Sequence, residues 1–210
     1  AGAIREEGGR ILDARGRPLR DLRISVTDQC NFRCRYCMPK EKFGSRHKFL
    51  AHTELLTFEE ILKVAKAFSA LGVEKIRLTG GEPLLRRHIE ELVAKLKAIE
   101  TPTGNPLEVA MTTNAAILAR KAQALKAAGL DRVTVSLDAL TEDLFQAIND
   151  VGFPAYEVLK GIHAAREAGL PVKVNTVVKR GMNEGEILPL AKTFRGTGIT
   201  LRFIEYMDAG

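Results

Sequence analysis

The chain has 210 residues, of which 45% are hydrophobic and 28% are charged, a composition that supports a buried core and excludes a disordered tail. Lysine and arginine exceed aspartate and glutamate by 32 − 26 = 6, without the basic block of a nucleic-acid-binding arm, so the excess favours small anionic ligands. No apolar run approaches the roughly 18 residues that cross a bilayer, and the start of the chain lacks the apolar stretch of a signal peptide. We therefore expect a cytoplasmic protein that binds neither a membrane nor nucleic acid.

A basic lead over residues 1–22 precedes one predicted domain, residues 23–210, in which strands and helices alternate. Six β-rich runs are predicted as strands: Arg23 to Thr27, Lys75 to Thr79, Leu107 to Thr112, Arg132 to Leu137, Val172 to Val178 and Thr200 to Tyr206. The helix between the first two begins at a capping box, Thr57 with Glu60 three residues later. Four helical patterns end at a glycine just before a strand: Gly72, Gly129, Gly169 and Gly198.

Strands that alternate with helices imply a parallel sheet, and the parity of the strand residues indicates which kind. One face is apolar, as helices packed against it require: Leu22, Ile24, Val26, Ile76, Leu78, Val133, Val135, Leu137, Val172 and Val174. The opposite face is polar and cationic: Arg23, Ser25, Thr27, Arg77, Thr79, Arg132, Thr134, Ser136, Lys173 and Asn175. A doubly wound sheet would be apolar on both faces.

We therefore predict an α/β fold, an incomplete (βα)6 TIM-like barrel with helices only outside and a polar lumen. In barrels of this type the chemistry lies at the carboxyl ends of the strands. Those ends carry Asp28, Gly80-Gly81-Glu82, Thr113-Asn114, Asp138 and Glu205.

All three cysteines, Cys30, Cys34 and Cys37, stand in the loop after the first strand with the spacing C-x3-C-x2-C. Such an odd, tight cluster argues against disulfides and for a metal centre. A structural zinc site needs a fourth ligand, which His47 or His52 could supply only if the intervening loop folded back. A cubane iron–sulfur cluster has four irons, so three cysteines leave one iron open to a substrate or cofactor. The spacing favours the cluster.

The segment from Arg23 to Lys40, RISVTDQCNFRCRYCMPK, resembles the cluster loop of the radical S-adenosylmethionine (SAM) enzymes. Within that superfamily the chain is most similar to the GTP 3',8-cyclase family of molybdenum cofactor biosynthesis. The shared motifs are Gly16-Arg17-Pro18, Asp21-Leu22-Arg23, Leu78-Thr79-Gly80-Gly81-Glu82-Pro83, Thr112-Thr113-Asn114, Val135-Ser136-Leu137-Asp138, Lys173-Val174-Asn175 and Arg202-Phe203-Ile204-Glu205-Tyr206-Met207-Asp208. The cysteine triplet and Gly-Gly-Glu-Pro are typical of the whole superfamily, whereas the other motifs are typical of the cyclase family.

The resemblance implies a 4Fe–4S cluster and SAM as cofactors, with GTP as substrate. It assigns the cluster to Cys30, Cys34 and Cys37. It assigns SAM to the backbone at Tyr36 and to Gly81, Ser136 and Met207, although Met207 on its own would be interpreted as a core residue. It assigns GTP to Arg23, Arg77, Thr112 and Lys173. The implied reaction takes hydrogen from C3' of the GTP ribose, after which that carbon attacks C8 of guanine, and no acid or base is assigned.

The charges of the lumen can be interpreted independently of the resemblance. Burying Arg23, Arg77 and Lys173 without partners would cost several kcal/mol each, so they are expected to face an anion, and a triphosphate suits them. The alternative is that these cations pair with carboxylates of the barrel: Glu82, Glu108, Asp138 or Glu205.

Two features depart from the cyclase family. The family continues into a region with a second three-cysteine cluster and a Gly-Gly tail, so we expect this chain to correspond to the family's N-terminal part. Ala115 also follows Asn114 where the family usually has glycine. Two other functions stay open, another radical SAM enzyme such as a peptide-modifying one, and a structural zinc-binding module. A homodimer is compatible with the resemblance.

Overall fold

The alternation of short apolar strands with amphipathic helices produces a six-stranded, all-parallel sheet in the computed structural model, which describes residues 5–7 and 10–207. A short antiparallel pair, β1 (Arg5–Glu7) and β2 (Arg10–Leu12), comes first. The parallel strands are β3 (Asp21–Ser25), β4 (Lys75–Thr79), β5 (Glu108–Thr113), β6 (Arg132–Ser136), β7 (Val172–Val178) and β8 (Thr200–Glu205). Every predicted strand is confirmed, with ends that shift by at most two residues.

Helices fill the connections between the parallel strands. They are α1 (Lys40–Phe43), α2 (Phe58–Ala70), α3 (Ile89–Lys97), α4 (Leu118–Ala127), α5 (Glu142–Asn149), α6 (Ala155–Glu167) and α7 (Ile187–Phe194). The predicted capping box starts α2, because Thr57 Oγ1 accepts the Glu60 N–H at 3.2 Å and Glu60 Oε2 accepts the Thr57 N–H at 2.7 Å. Within the described residues, no helix is long and apolar enough to span a membrane.

The strand order follows the sequence from β3 to β8 without reversal. Since crossovers between parallel strands are right-handed, this order places every crossover helix on the same face of the sheet. A doubly wound sheet would reverse its order in the middle. The predicted incomplete barrel, with helices only outside, is therefore confirmed.

The two faces of the sheet separate by parity as expected. Ile76, Leu78, Val133, Val135 and Val174 are fully buried against the helices, where each contributes about 1.5–3 kcal/mol. On the other face, the register pairs Arg23 with Arg77, Thr112 with Thr134, and Thr134 with Lys173. Residues of one parity from five neighbouring strands therefore line one lumen.

Gly161 of α6 lies where that helix touches the end of β5. A Cβ at this position would lie 2.9 Å from the Ala115 carbonyl oxygen and 3.3 Å from the Ala115 and Leu118 Cβ atoms. We expect Gly161→Ala to lower the free energy of unfolding by about 1–3 kcal/mol, because backbone must shift, even though alanine favours helix by about 1 kcal/mol. Urea unfolding measures this change.

The matched control is Gly185→Ala, because a Cβ there meets nothing within 4 Å. Its stability is expected to equal or exceed that of the parent. A Gly161→Ala variant as stable as the Gly185→Ala variant would contradict the close approach between α6 and the end of β5.

Candidate functional site

The cysteine loop, residues 28–38, is anchored on α5. The Phe32 ring is buried, with its centroid 6.2 Å from that of Phe145 and 5.2 Å from that of Phe153. The Arg33 N–H donates to the Asn149 carbonyl at 2.9 Å, and the Arg35 N–H donates to the Ile148 carbonyl at 3.3 Å. The loop is therefore held at the mouth of the barrel by contacts more than 100 positions away in sequence.

Internal hydrogen bonds fix the shape of the same loop. The Arg33 guanidinium donates to the carbonyls of Cys30 at 2.7 Å, Phe32 at 2.8 Å and Phe43 at 2.8 Å. The Cys34 carbonyl accepts the N–H groups of Cys37 and Met38 at 2.9 and 2.8 Å. The backbone that carries the three thiols is thus ordered by the protein itself.

All three cysteines line one cavity of about 290 Å³ at the carboxyl ends of β4, β5 and β6. Seven of the predicted site residues meet there: Cys30, Cys34, Tyr36, Cys37, Gly81, Thr112 and Ser136. Arg23, Arg77 and Lys173 do not line this cavity and lie deeper in the lumen. Met207 follows β8, is 78% exposed and lies outside the cavity, so its assignment to SAM stays a prediction.

The donor set fits an iron–sulfur cluster better than a single ion. Among the described residues, no three His, Cys, Asp or Glu side chains converge closely enough to bind one metal ion, as a zinc site requires. A cubane instead takes each thiolate on a different iron. His47 packs between Phe43 and Phe49, and His52 lines a separate surface cavity, so neither histidine joins the cysteines.

Burial raises the pKa of the Cys30 and Cys34 thiols. These groups therefore stay protonated until a metal binds, and binding releases their protons. Phe145 and Ile148 line one side of the cavity, so a metal centre bound by the thiolates would lie against apolar side chains.

The Gly80-Gly81 turn after β4 is pressed against the backbone of β3 and the cysteine loop. A Cβ on Gly80 would lie 2.4 Å from the Thr27 carbonyl oxygen, and one on Gly81 would lie 2.2 Å from that of Gln29. The Gly81 N–H donates to the Thr27 carbonyl at 2.8 Å. Glycine is required here because backbone approaches backbone.

Glu82 is only 1% exposed, and its carboxylate already has protein partners. Oε1 accepts the Thr113 hydroxyl at 2.6 Å and the Leu84 N–H at 3.0 Å, and Oε2 accepts the Asn114 N–H at 2.7 Å. Burial raises its pKa, although these hydrogen bonds oppose the shift. Its carboxylate therefore joins the ends of β4 and β5 and does not pair with the cations of the lumen.

A second long-range contact holds the far side of the cysteine loop. The Tyr36 hydroxyl donates to Asp138 Oδ2 at 2.6 Å, and Asp138 Oδ1 accepts the Val177 N–H at 2.8 Å. Burial and the neighbouring carboxylate raise the pKa of Tyr36, so the phenol keeps the proton that it donates. The side chain of Tyr36 thus ties the cysteine loop to Asp138, just after the end of β6.

The cations of the lumen are largely uncompensated. Arg132 pairs with Glu108 at 2.9 Å, and Lys75 pairs with Glu108 at 3.2 Å. Within residues 5–7 and 10–207, no carboxylate forms an ion pair with Arg23, Arg77 or Lys173, and Glu82 and Asp138 have other partners. No described ion pair therefore supports the carboxylate-pairing alternative for these three cations, although the charges of Asp21 and Glu108 partly offset the repulsion at Arg77.

Mutual repulsion within this group shows in the pKa values. Burial, Arg132 and Arg23 lower the pKa of Arg77. Burial, Arg202 and Arg132 lower the pKa of Lys173. Among the described residues, Arg77 donates to hydroxyls, with Nη1 at 3.4 Å from Thr112 Oγ1 and 3.3 Å from Thr134 Oγ1. A lumen with this charge distribution is prepared for a polyanion.

The sequence predicts Asn114 at the end of a strand, but it does not predict the contacts that Asn114, Phe32 and Arg33 make in the site. Phe32 and Arg33 anchor the cysteine loop, and Asn114 donates to Cys30 Sγ at 3.8 Å. Ala115, which replaces the family's usual glycine, has φ = 61°, in the left-handed region that costs about 1–2 kcal/mol for a residue with a Cβ. The glycine that the cyclase family usually has at this position is the sequence signal that indicates this backbone conformation.

The Radical SAM superfamily profile matches residues 24–194, which is most of the chain. The chain belongs to the radical SAM superfamily. As such, this radical SAM protein uses a 4Fe–4S cluster and SAM as cofactors, and the cavity lined by the three cysteines fits that pair. The choice of the iron–sulfur centre over zinc is confirmed.

Curated relatives of high sequence identity are named GTP 3',8-cyclases. The radical SAM chain is 54% identical over 201 residues to a GTP 3',8-cyclase of Acidothermus cellulolyticus, covering 95% of this chain and 54% of the relative. It is 50% identical over 200 residues to a GTP 3',8-cyclase of Staphylococcus haemolyticus, covering 95% of this chain and 58% of the relative. The chain thus spans little more than half the length of these relatives.

Solved structures agree on the fold. Streptococcus suis SuiB bound to precursor peptide SuiA superposes with a TM-score of 0.72 at 17% identity, over 90% of this chain and 39% of that structure. Native anSMEcpe with bound AdoMet and Kp18Cys peptide gives a TM-score of 0.69 at 17% identity, over 90% of this chain and 51% of that structure. At this identity the likeness concerns the fold of the radical SAM barrel alone.

The Tyr36–Asp138 contact can be tested without any cofactor. We expect Tyr36→Phe to lower the free energy of unfolding by about 1–3 kcal/mol, because a buried carboxylate loses a charge-assisted donor. Tyr156→Phe is the matched control, because Tyr156 is 51% exposed on α6 and should tolerate loss of its hydroxyl. Equal stability of the two variants in urea would contradict an orienting role for the Tyr36 hydroxyl.

Proposed function

We propose that this chain is the SAM-binding and triphosphate-binding core of a GTP 3',8-cyclase, which forms (8S)-3',8-cyclo-7,8-dihydroguanosine 5'-triphosphate in molybdenum cofactor biosynthesis. The 50–54% identity to proteins of that name supports the proposal. The observation that carries it is the uncompensated group of cations, Arg23, Arg77 and Lys173, in the lumen below the cysteine cavity. The catalytic unit is inferred to be one barrel domain, residues 23–210, after a lead over residues 1–22.

The proposed roles of the residues are those that the resemblance to the cyclase family assigns. Cys30, Cys34 and Cys37 hold the cluster, and Tyr36, Gly81, Ser136 and Met207 hold SAM. Bound together, the two cofactors supply radical chemistry for hydrogen abstraction. Ser136 lies at the end of β6 and lines the cavity. Its neighbour across the sheet is Asn175 of β7, whose buried Oδ1 has no partner among the described residues. A ligand hydroxyl or amide would satisfy that oxygen.

Arg23, Arg77, Thr112 and Lys173 hold the triphosphate of GTP. Arg77 lies between the two strands that carry Arg23 and Thr112, and it already contacts the Thr112 hydroxyl. An anion placed here relieves the repulsion that lowers the pKa of Arg77 and Lys173, and it accepts charge-assisted hydrogen bonds from both. We infer that the nucleotide lies beneath the SAM cavity, next to Thr112, which lines that cavity and contacts Arg77.

The cofactor part of the proposal is tested by anaerobic reconstitution with iron and sulfide. We expect the chain to bind about four irons, to turn brown, and to cleave SAM when reduced. Cys34→Ala is expected to remove the colour, because it removes one of three cluster ligands. The zinc content of the same protein is measured alongside its iron content. A colourless protein with one zinc per chain, indifferent to air, would favour the structural zinc module instead.

The substrate part is tested by GTP binding to the reconstituted chain. Arg77→Met and Lys173→Met are each expected to weaken GTP binding at least about tenfold, because each removes a charge that faces the triphosphate. Arg120→Met on α4 and Lys192→Met on α7 change exposed cations outside the lumen and should leave the Kd unchanged. Calorimetry measures all four.

The pH dependence of GTP binding gives a sharper form of the same test. The pKa of Lys173 is lowered from 10.5, the ordinary value for lysine, so its ammonium group loses its charge at a lower pH than usual. GTP binding should therefore already weaken as the pH rises toward 10.5. Lys173→Arg should bind GTP without that decline, since arginine stays charged. Two results would favour a peptide-modifying radical SAM enzyme. One is a GTP affinity that does not change in the Arg77→Met and Lys173→Met variants, and the other is a site that binds peptides but not GTP.

A further inference from the structure

Asn114, directly after β5, joins three parts of the site. Its backbone N–H donates to Glu82 Oε2 at 2.7 Å, which ties it to the turn after β4. Its side-chain Nδ2 donates to Asn31 Oδ1 at 2.9 Å and contacts Cys30 Sγ at 3.8 Å, within the range for a sulfur acceptor. The cysteine loop is therefore in direct contact with a side chain from the neighbouring part of the barrel.

The orientation of the Asn114 amide is determined by its own turn. Oδ1 accepts the Ala116 N–H at 3.0 Å, so the oxygen faces α4 and the NH2 group must face the cysteine loop. One of the two amide hydrogens is taken by Asn31, and the second is directed at the sulfur. The left-handed backbone of Ala115 belongs to the same turn.

The three cysteine sulfurs differ in their environment. Cys30 Sγ accepts from the Phe32 N–H at 3.4 Å and from Asn114 Nδ2 at 3.8 Å. In the described part of the chain, no side chain donates a hydrogen bond to the sulfur of Cys34 or Cys37. Hydrogen bonds to ligating sulfurs are among the factors that set the reduction potential of an iron–sulfur cluster.

We propose that Asn114 is a positioning residue that orients the Cys30 sulfur and raises the reduction potential of the cluster through an N–H···S hydrogen bond. The inference rests on the proposed cluster site and goes beyond it. A one-electron reduction adds negative charge that spreads onto the ligating sulfurs, and a donor fixed at one of them stabilises the reduced state. No other side chain among the described residues donates to these sulfurs.

The decisive variant is Asn114→Ser. Its hydroxyl can still accept the Ala116 N–H, as serine does in turns, but it is too short to reach Cys30 Sγ. After reconstitution we expect about four irons, as in the parent. At a fixed solution potential, the ratio of reduced to oxidised cluster should fall about three- to tenfold, where tenfold corresponds to about 59 mV for one electron. A redox titration followed by EPR measures it.

Asn31→Ala is the matched control. It removes the partner of the other amide hydrogen and leaves the contact to Cys30 unchanged, so its ratio should stay within about twofold of the parent. If Asn114→Ser titrates like the parent, or if Asn31→Ala shifts as far as Asn114→Ser, the tuning role is refuted and Asn114 only braces the loop.

A measurement on the unsubstituted side chain keeps the test independent of whether Asn114→Ser assembles a cluster. In protein labelled with 15N at asparagine, pulsed EPR of the reduced cluster should detect coupling to an amide nitrogen, and Asn31→Ala should retain it. Absence of that coupling would refute the inference while the proposed function stands. A parent chain that binds no iron would overturn both.

Discussion

The buried carboxylate of Glu82 is the interaction on which the rest of the site depends. It accepts hydrogen bonds from its own turn and from two residues after β5, so two adjacent strand ends are fixed to each other. The glycines before it allow that turn to lie directly on the backbone of Thr27 and Gln29, where the cysteine loop starts. A side chain at Gly81 would push the loop away from the barrel, and the thiols would no longer share a cavity with β5 and β6.

The barrel places two chemically different compartments one above the other. The upper cavity is lined by the three thiols, by aromatic and apolar side chains such as Phe32 and Phe145, and by polar residues at the strand ends, so it offers both ligands for a cluster and groups that can hydrogen-bond a cofactor. In the lower lumen Arg23, Arg77 and Lys173 form no ion pair among the described residues, and the repulsion from neighbouring cations that helps to lower the pKa of Arg77 and Lys173 would be relieved by a bound anion. Thr112 lies at the boundary, where its hydroxyl contacts Arg77 and its side chain lines the upper cavity.

The sequence predicts the strands, their order and the parity of their faces, because period-two patterns and glycine stops are local signals. Gly72 and Gly129 indeed adopt positive φ values of 101° and 92°. It could not predict the Tyr36–Asp138 contact or the Asn114–Cys30 contact, whose partners lie 102 and 84 positions apart. The three donors to the Glu82 carboxylate could not be predicted either, since two of them, Thr113 and Asn114, belong to the end of the next strand. Packing, which no local pattern encodes, decides these cases.

The anchoring of the cysteine loop on α5 has a consequence for biosynthesis. The loop leaves the ribosome early, yet the carbonyls that hold Arg33 and Arg35 belong to Ile148 and Asn149. Until that helix has emerged and docked, the three thiols stand on an untethered loop, exposed to oxidants and to competing metals. The three thiols are therefore arranged for a cluster only after α5, which follows the first four parallel strands, has docked against the loop.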